Sequence, residues 1–167
     1  MSLEAATEKI KFISRGKGDG VQILTEGDMI VPDINPDIYQ ILKADEDVII
    51  DKVKAEQGRI GFSGRIAVSV LYYGKKTDSP VSFMKAEFPI EDYIMTDDTD
   101  ENSDADITAE IIHTDYRLVN DRKINVKAVT GIKPSWSNGV ETEAVKTVGG
   151  DDYLQSKTGI KNTGDIR

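Results

Sequence analysis

The run "RIAVSVLYY", Arg65 to Tyr73, decides the fold class. Ile66, Val68, Val70 and Tyr72 alternate with Arg65, Ala67, Ser69 and Leu71. A period of two is that of a strand with one buried face, because successive side chains point to opposite sides of a sheet. Strand signals continue on both sides. Upstream, "VIIDKV" leads through a turn at Gln57-Gly58 into "RIGFSG", where Gly64 inside an apolar run predicts a bulge or bend. Downstream, the loop "YGKKTDSP" precedes "VSFMKAEFPI", whose Met84, Ala86, Phe88 and Ile90 share a face. Pro89 cannot donate to a ladder, which makes that strand an edge or ends it. "ADITAEIIHTDYRLV" and "KINVKAVTGIK" follow, joined by Asn120-Asp121-Arg122, a composition suited to a tight hairpin turn. In the second of these, Ile124, Val126, Ala128 and Ile132 face in while Lys123, Asn125, Lys127 and Lys133 face out. Five to seven short antiparallel strands predict a mainly β protein, a β-sandwich or small open barrel.

One segment departs from that pattern. "VPDINPDIYQILKADEDVII", Val31 to Ile50, holds Pro-Asp twice, four residues apart. Pro32 ends the strand carrying Met29, Ile30 and Val31. Asn35 is a good helix N-cap, Pro36 suits the first helical position, and Asp37 would complement the helix dipole. Ile38, Ile41 and Leu42 then fall at i, i+3 and i+4, so the spacing predicts one short helix over about 36–43. On this reading Pro32, Asp33, Asn35, Pro36 and Asp37 steer the backbone and are not a catalytic or cation site.

Composition bounds the function. The 167 residues suffice for one domain burying about 70% of its unfolded surface. The N-terminus "MSLEAATEKIKF" has no apolar signal-peptide core, and no apolar run reaches the roughly 20 residues of a membrane-spanning helix. The absence of cysteine excludes disulfides, thiolate metal sites and a cysteine nucleophile, and fits a reducing, cytosolic setting. The net charge is −9, and Glu91–Asp106 supplies eight carboxylates with no Lys or Arg, leaving −1 for the rest. With no basic footprint to neutralise phosphates, nucleic acid is not an expected partner. Residues 1–19 read as a flexible N-terminal segment, 20–136 as the β domain with an acidic loop at 91–106, and 137–167 as a polar linker or tail towards a missing downstream region.

Several residues could carry chemistry. Asp98, Asp100, Asn102, Asp104 and Asp106 alternate like the start of a calcium loop, making them a weak calcium candidate. The EF-hand form needs Gly and Glu at positions six and twelve, which here hold Ser103 and Ala109. A solvated, self-repelling loop is the competing reading. His113, the only histidine, follows Ile107, Ala109 and Ile111 on one strand face and is expected half-buried beside the core. Neither a Gly-x-Ser-x-Gly elbow nor a second histidine accompanies it, so a hydrolase is a remote alternative. "RGKGDG" lacks the strand–glycine–helix context of a nucleotide loop. No cofactor is implied. Trp136 caps the core or serves as an interface or sugar platform. Together with Tyr72, Tyr73 and Tyr93 it defines the alternative of a carbohydrate- or cell-wall-binding sandwich.

Three blocks, "VPDINPDIYQILKADEDVIIDKV", "GRIGFSGRIAVSVLYYG" with "MKAEFPIEDYI", and "HTDYRLVNDRKINVKAVTGI", resemble the SPOCS domain of SipL-type spore-coat morphogenesis proteins of sporulating Firmicutes. The resemblance runs from about Val21 to Ser135. It implies an all-β, non-enzymatic assembly module in the mother-cell cytoplasm at the forespore surface, with a spore-coat protein as partner. SipL-type proteins join such domains to a C-terminal LysM domain that contacts the coat's basement-layer ATPase. This chain has no LysM-like segment, so that contact does not transfer to it. Exposed strand edges, open to self-association, and the acidic loop are the surfaces expected to meet partners.

Overall fold

Seven strands make up a computed structural model that describes residues 4–78 and 80–149. They are β1 (Glu4–Lys17), β2 (Val21–Ile30), β3 (Ile38–Glu56), β4 (Arg59–Gly74), β5 (Val81–Met95), β6 (Asp104–Asn120) and β7 (Lys123–Gly149). No helix occurs among the described residues, and so none is long and apolar enough to cross a membrane.

Residues Ile13–Gly139 form one compact unit, in which two antiparallel sheets share a single core. In the first sheet β7 lies between β2 and β6, since residues 123–132 pair with both. β1 pairs with β7 as well. The second sheet has the order β3-β4-β5. Across the sandwich β3 contacts β6 and β5 contacts β2. The alternation of "RIAVSV" and "KINVKAV" is realised directly. Ile66, Val68, Val70 and Tyr72 from β4 meet Ile124, Val126, Ala128 and Ile132 from β7 in the core. Their burial, at about 25 cal/mol per Å² of apolar surface, is the main force joining the sheets. The described ends of the chain, 4–12 and 140–149, form a second, smaller unit containing a Lys11–Glu141 ion pair of 2.7 Å.

The short helix expected at 36–43 is corrected to strand. β3 starts at Ile38 and pairs with β4 along its whole length. Register shifts between Ile38 and Gln40 and between Ile41 and Lys43 insert extra residues, so Ile38 and Ile41 both face inward opposite Gly74 and Tyr72. Two bulges thus reproduce a three-residue spacing that a regular strand forbids. An isolated helix of two turns is marginal, whereas an added strand satisfies its backbone on an existing ladder. The polar ends are also corrected. Residues 4–17, expected to be flexible, form β1, and 137–149, expected to be part of a tail, continue β7. The remainder of that expected tail, 150–167, lies outside the described residues.

Gln57-Gly58 turns as expected, with Gly58 at φ 72°. Pro89 lies on β5, which is an edge strand. Opposite Gly64, β3 bulges at Asp51, and a Cβ on Gly64 would stand 2.2 Å from the Ile49 carbonyl oxygen. Gly64→Ala is expected to lower the stability of the chain by about 2–3 kcal/mol through forced overpacking against backbone. Urea-unfolding midpoints check this, and an unchanged midpoint would show that the bulge can relax.

A side-chain bond between facing strands crosses the sandwich. The Tyr116 hydroxyl of β6 donates to Glu46 Oε2 of β3 at 2.5 Å. Burial, with help from the Glu46 carboxylate, pushes the Tyr116 phenol well above the ordinary tyrosine range. The stability gained by keeping this phenol neutral is complete below the unfolded tyrosine value of about 10 and is lost as pH rises through the folded value. Tyr116→Phe is therefore expected to flatten the alkaline fall in stability, measured as urea midpoints from about pH 9 to about pH 11.

Candidate interaction surface

The two Pro-Asp pairs lie where the chain leaves the first sheet for the second. Pro32 begins a tight turn closed by the Asn35 N–H donating to the Pro32 carbonyl at 2.9 Å. The corner is then fastened to the β6–β7 hairpin. The Val31 N–H donates to the Arg122 carbonyl at 2.9 Å and the Ile38 N–H to the Asp121 carbonyl at 2.7 Å. The Arg122 guanidinium reaches back, donating to Asp37 Oδ1 at 2.6 Å and to the Val31 and Pro32 carbonyls at 3.1 Å each. Asp33 is a looser partner at 3.5 Å. The β4–β5 loop joins through the Lys75 N–H, which donates to the Asp37 carbonyl at 2.8 Å, and through a Lys75–Asp121 ion pair of 2.7 Å. The Tyr72 hydroxyl, whose pKa is raised by burial, donates to the Pro36 carbonyl at 3.1 Å.

The roles expected at a helix start are thus replaced. Asn35 donates its side-chain amide to the Phe83 carbonyl at 3.3 Å, Pro36 supplies a carbonyl, and Asp37 is an ion-pair partner. Arg122 is the residue that sequence reasoning missed. Its only signal was its place beside Asn120-Asp121 in a hairpin turn, which says nothing of what it touches.

The acidic segment is more ordered and shorter than its sequence suggests. Residues 91–95 complete β5 and 104–106 open β6, leaving Thr96–Ser103 as the connection. Thr96 and Thr99 are buried, and their hydroxyls bond to each other. The Thr99 hydroxyl donates to the Glu56 carbonyl at 3.0 Å, and the Gly58 N–H donates to the Thr99 carbonyl at 3.0 Å. These bonds fix the connection to the β3–β4 turn. Asp100 Oδ1 accepts the Asn102 N–H at 2.7 Å, so it caps its own turn. Asp98, Asp104 and Asp106 point to solvent, and among the described residues no three acidic, histidine or cysteine side chains gather as a metal site requires.

His113 is exposed, not half-buried. A bulge between Ile111 and His113 reverses the strand phase, so Ile111 and Thr114 turn inward while Ile112 and His113 turn out. His113 Nε2 lies 3.0 Å from Asp115 Oδ1, with both side chains in solvent. The aromatics considered as a sugar platform do not form a row. Trp136 packs against the core, Tyr72 is buried, and the Arg59 guanidinium lies 5.4 Å from the Tyr93 ring centre.

The outer faces of both sheets are mostly charged. On the first, Glu26–Lys127 and Asp28–Lys123 pairs dominate, and the hydrogen bond from Lys123 holds the Asp28 carboxyl below its usual range. On the second, Arg65 bridges Asp51 and Glu87, and its hydrogen bond to Asp51 raises the guanidinium pKa. At the corner end of the second sheet the charge gives way to an apolar area. Tyr39 meets Tyr73 edge-on with ring centres 6.3 Å apart. Tyr73 is in register with Val81, and Leu71 with Phe83. Tyr39 and Phe83 are 66% and 63% exposed, and Ile34, in the corner itself, is 93% exposed. Adjacent exposed aromatics on three strands make this a candidate contact surface, since single exposed apolar residues are ordinary but contiguous groups are not.

An antiparallel sandwich with mostly charged outer faces and an exposed apolar group on its second sheet defines a class, the small all-β module with a candidate contact surface. Residues 37–119 match the family model for the SipL, SPOCS domain. The chain carries a SPOCS domain, a sporulation-associated family. No curated protein and no solved structure shows significant similarity to the chain.

Arg122→Ala is expected to lower stability by about 2 kcal/mol, because it strands a carboxylate and two carbonyls that a guanidinium now satisfies. Arg122→Lys should recover only part of this, since an ammonium lacks the planar fork. Thermal and urea unfolding of both variants checks the order; equal stability of all three proteins would remove Arg122 from the account.

Proposed function

We propose that this chain is a non-catalytic protein-interaction module of a sporulation protein, acting in spore-coat assembly through the corner end of its second sheet. The observation that carries the reading is the contiguous exposed group Tyr39, Leu71, Tyr73, Val81 and Phe83, held on three paired strands. Rigid aromatics on a sheet supply contact area at little entropic cost, which suits them to anchor a partner. The SPOCS assignment supports the sporulation setting. On this reading the protein acts in the mother-cell cytoplasm at the forespore surface, and its partner is a coat component.

The test is affinity capture from sporulating-cell lysate with three baits: the parent chain, a Tyr39→Ser/Phe83→Ser variant, and a variant with Asp98 and Asp104 changed to Asn. Capture of a coat protein by the parent and the Asn variant, with at least a tenfold loss for the Ser variant, is the expected result. Loss with the Asn variant instead would move the contact to the acidic end. Capture of no coat component by any bait would overturn the assignment.

A further inference from the structure

The outer strands of the two sheets differ in what they present along their open sides. On β5 the Gly74 N–H donates to the Pro80 carbonyl, and the register then turns the even residues towards β4 and the odd ones away from it. Three of the odd residues are closed to pairing. The Phe83 carbonyl accepts from the Asn35 side chain at 3.3 Å, the Tyr93 N–H donates to Asp92 Oδ1 at 2.8 Å, and Pro89 has no N–H. β3 and β6 are broken by bulges. Prolines, bulges and capped groups of this kind keep an edge from templating another strand.

β2 has none of them. Its ten residues pair with β7 in unbroken register and include neither proline nor lysine. The Val31 N–H donates to the Arg122 carbonyl, so the odd residues of β2 face β7 and the even ones, Gln22, Leu24, Glu26, Asp28 and Ile30, face outward. Among the described residues β2 pairs with β7 alone, and no backbone group of those five has another partner. The side chains of the same five lie on the outer face of the sheet. Leu24 is 65% exposed and Ile30 70% exposed. Glu26 and Asp28, between them, are each held by a β7 lysine, Lys127 at 3.4 Å and Lys123 at 2.5 Å.

This edge is its own complement. A strand laid antiparallel along it satisfies the open groups only when even residues stand opposite even residues. With a two-fold axis at Gly27, Leu24 of one copy faces Ile30 of the other, and Ile30 faces Leu24. Directly opposed apolar side chains are the stabilising unit of such a pair. Glu26 then faces Asp28, and this repulsion is moderated by the lysine that each carboxylate already holds.

We propose that β2 pairs antiparallel with β2 of a second copy about an axis at Gly27, joining the two first sheets into one. The contact is isologous and closes at a dimer. The capped β5 edges keep the second sheets from merging in the same way. The surface belongs to the first sheet, so the inference does not rest on the apolar group offered above to a coat component.

The purified full chain has no cysteine, which lets introduced thiols report the register. Leu24→Cys and Ile30→Cys chains mixed under mild oxidation should cross-link at least tenfold more than either alone, because opposed Cα atoms about 5.5 Å apart are within disulfide reach. The two copies of residue 24 would stand about 20 Å apart, at roughly 3.3 Å per residue. Analytical ultracentrifugation of the parent should show a monomer–dimer equilibrium and nothing larger. Leu24→Pro should sediment as a monomer, since the N–H it removes faces outward and the β7 ladder stays complete. Circular dichroism and a urea midpoint matching the parent's establish that it is folded, and Leu24→Lys/Ile30→Lys gives the same loss without touching the backbone. A parent that stays monomeric at the highest soluble concentration overturns the proposal. So does cross-linking of Leu24→Cys alone that equals the mixture, or a dimer that survives both the proline and the lysine variants. Because only the purified chain is present, these failures leave the capture of a coat component unaffected.

Discussion

The fastening of the corner by Arg122 is the constraint on which the rest depends. A sandwich needs at least one segment to cross from sheet to sheet, and that segment exposes carbonyls no ladder can satisfy. Here one such crossing is Val31–Ile38, and the Arg122 side chain takes two of its carbonyls together with the Asp37 carboxylate. The residues next to Arg122 complete the joint from their backbone. Hairpin β6–β7 is thereby held against both the end of β2 and the start of β3. Charge-assisted bonds of this kind are about twice as strong as neutral ones, and a planar fork fixes direction as well as distance. With that end held, Ile38 and Tyr72 meet the core in register and the apolar rows of the two sheets face each other.

Bulges do the second part of the work. Long, regular, hydrogen-bonded strands would carry every side chain in strict alternation, but β3 and β6 both break phase. On β3 the breaks draw Ile38 and Ile41 inward and leave Leu42 and Lys43 outside. On β6 the break turns Ile112 and His113 to solvent. Since β3 and β6 are the outer strands on the same side of the sandwich, these breaks also disturb the edges that would otherwise invite pairing with another chain. The edges formed by β2 and β5 carry no such break.

The acidic segment shows how composition can mislead about order. Eight carboxylates in sixteen positions suggest a solvated loop. Two threonines within it carry it into the structure, because their hydroxyls and the backbone beside them bond to the β3–β4 turn. The carboxylates stay in water while the backbone is held. The segment becomes a fixed, acidic end of the module.

The sequence alone determined the fold class, the core rows of β4, β5 and β7, the turn at Gln57-Gly58 and the need for Gly64, because each rests on local periodicity or on backbone freedom. It also carried the SPOCS resemblance, block by block. It misjudged "NPDIYQIL", where helical spacing was the by-product of two bulges, and His113, where one bulge reversed the face. These bulges, unlike the one opposite Gly64, left no signal in the strand's own pattern, since a bulge is set relative to the partner's register. It gave no hint of Arg122's role or of the apolar end, because both depend on residues distant in the chain being brought together. Local order was legible from local chemistry; the joint, the phase of the strands and the exposed apolar group were decided by pairing between strands, which only the tertiary structure supplies.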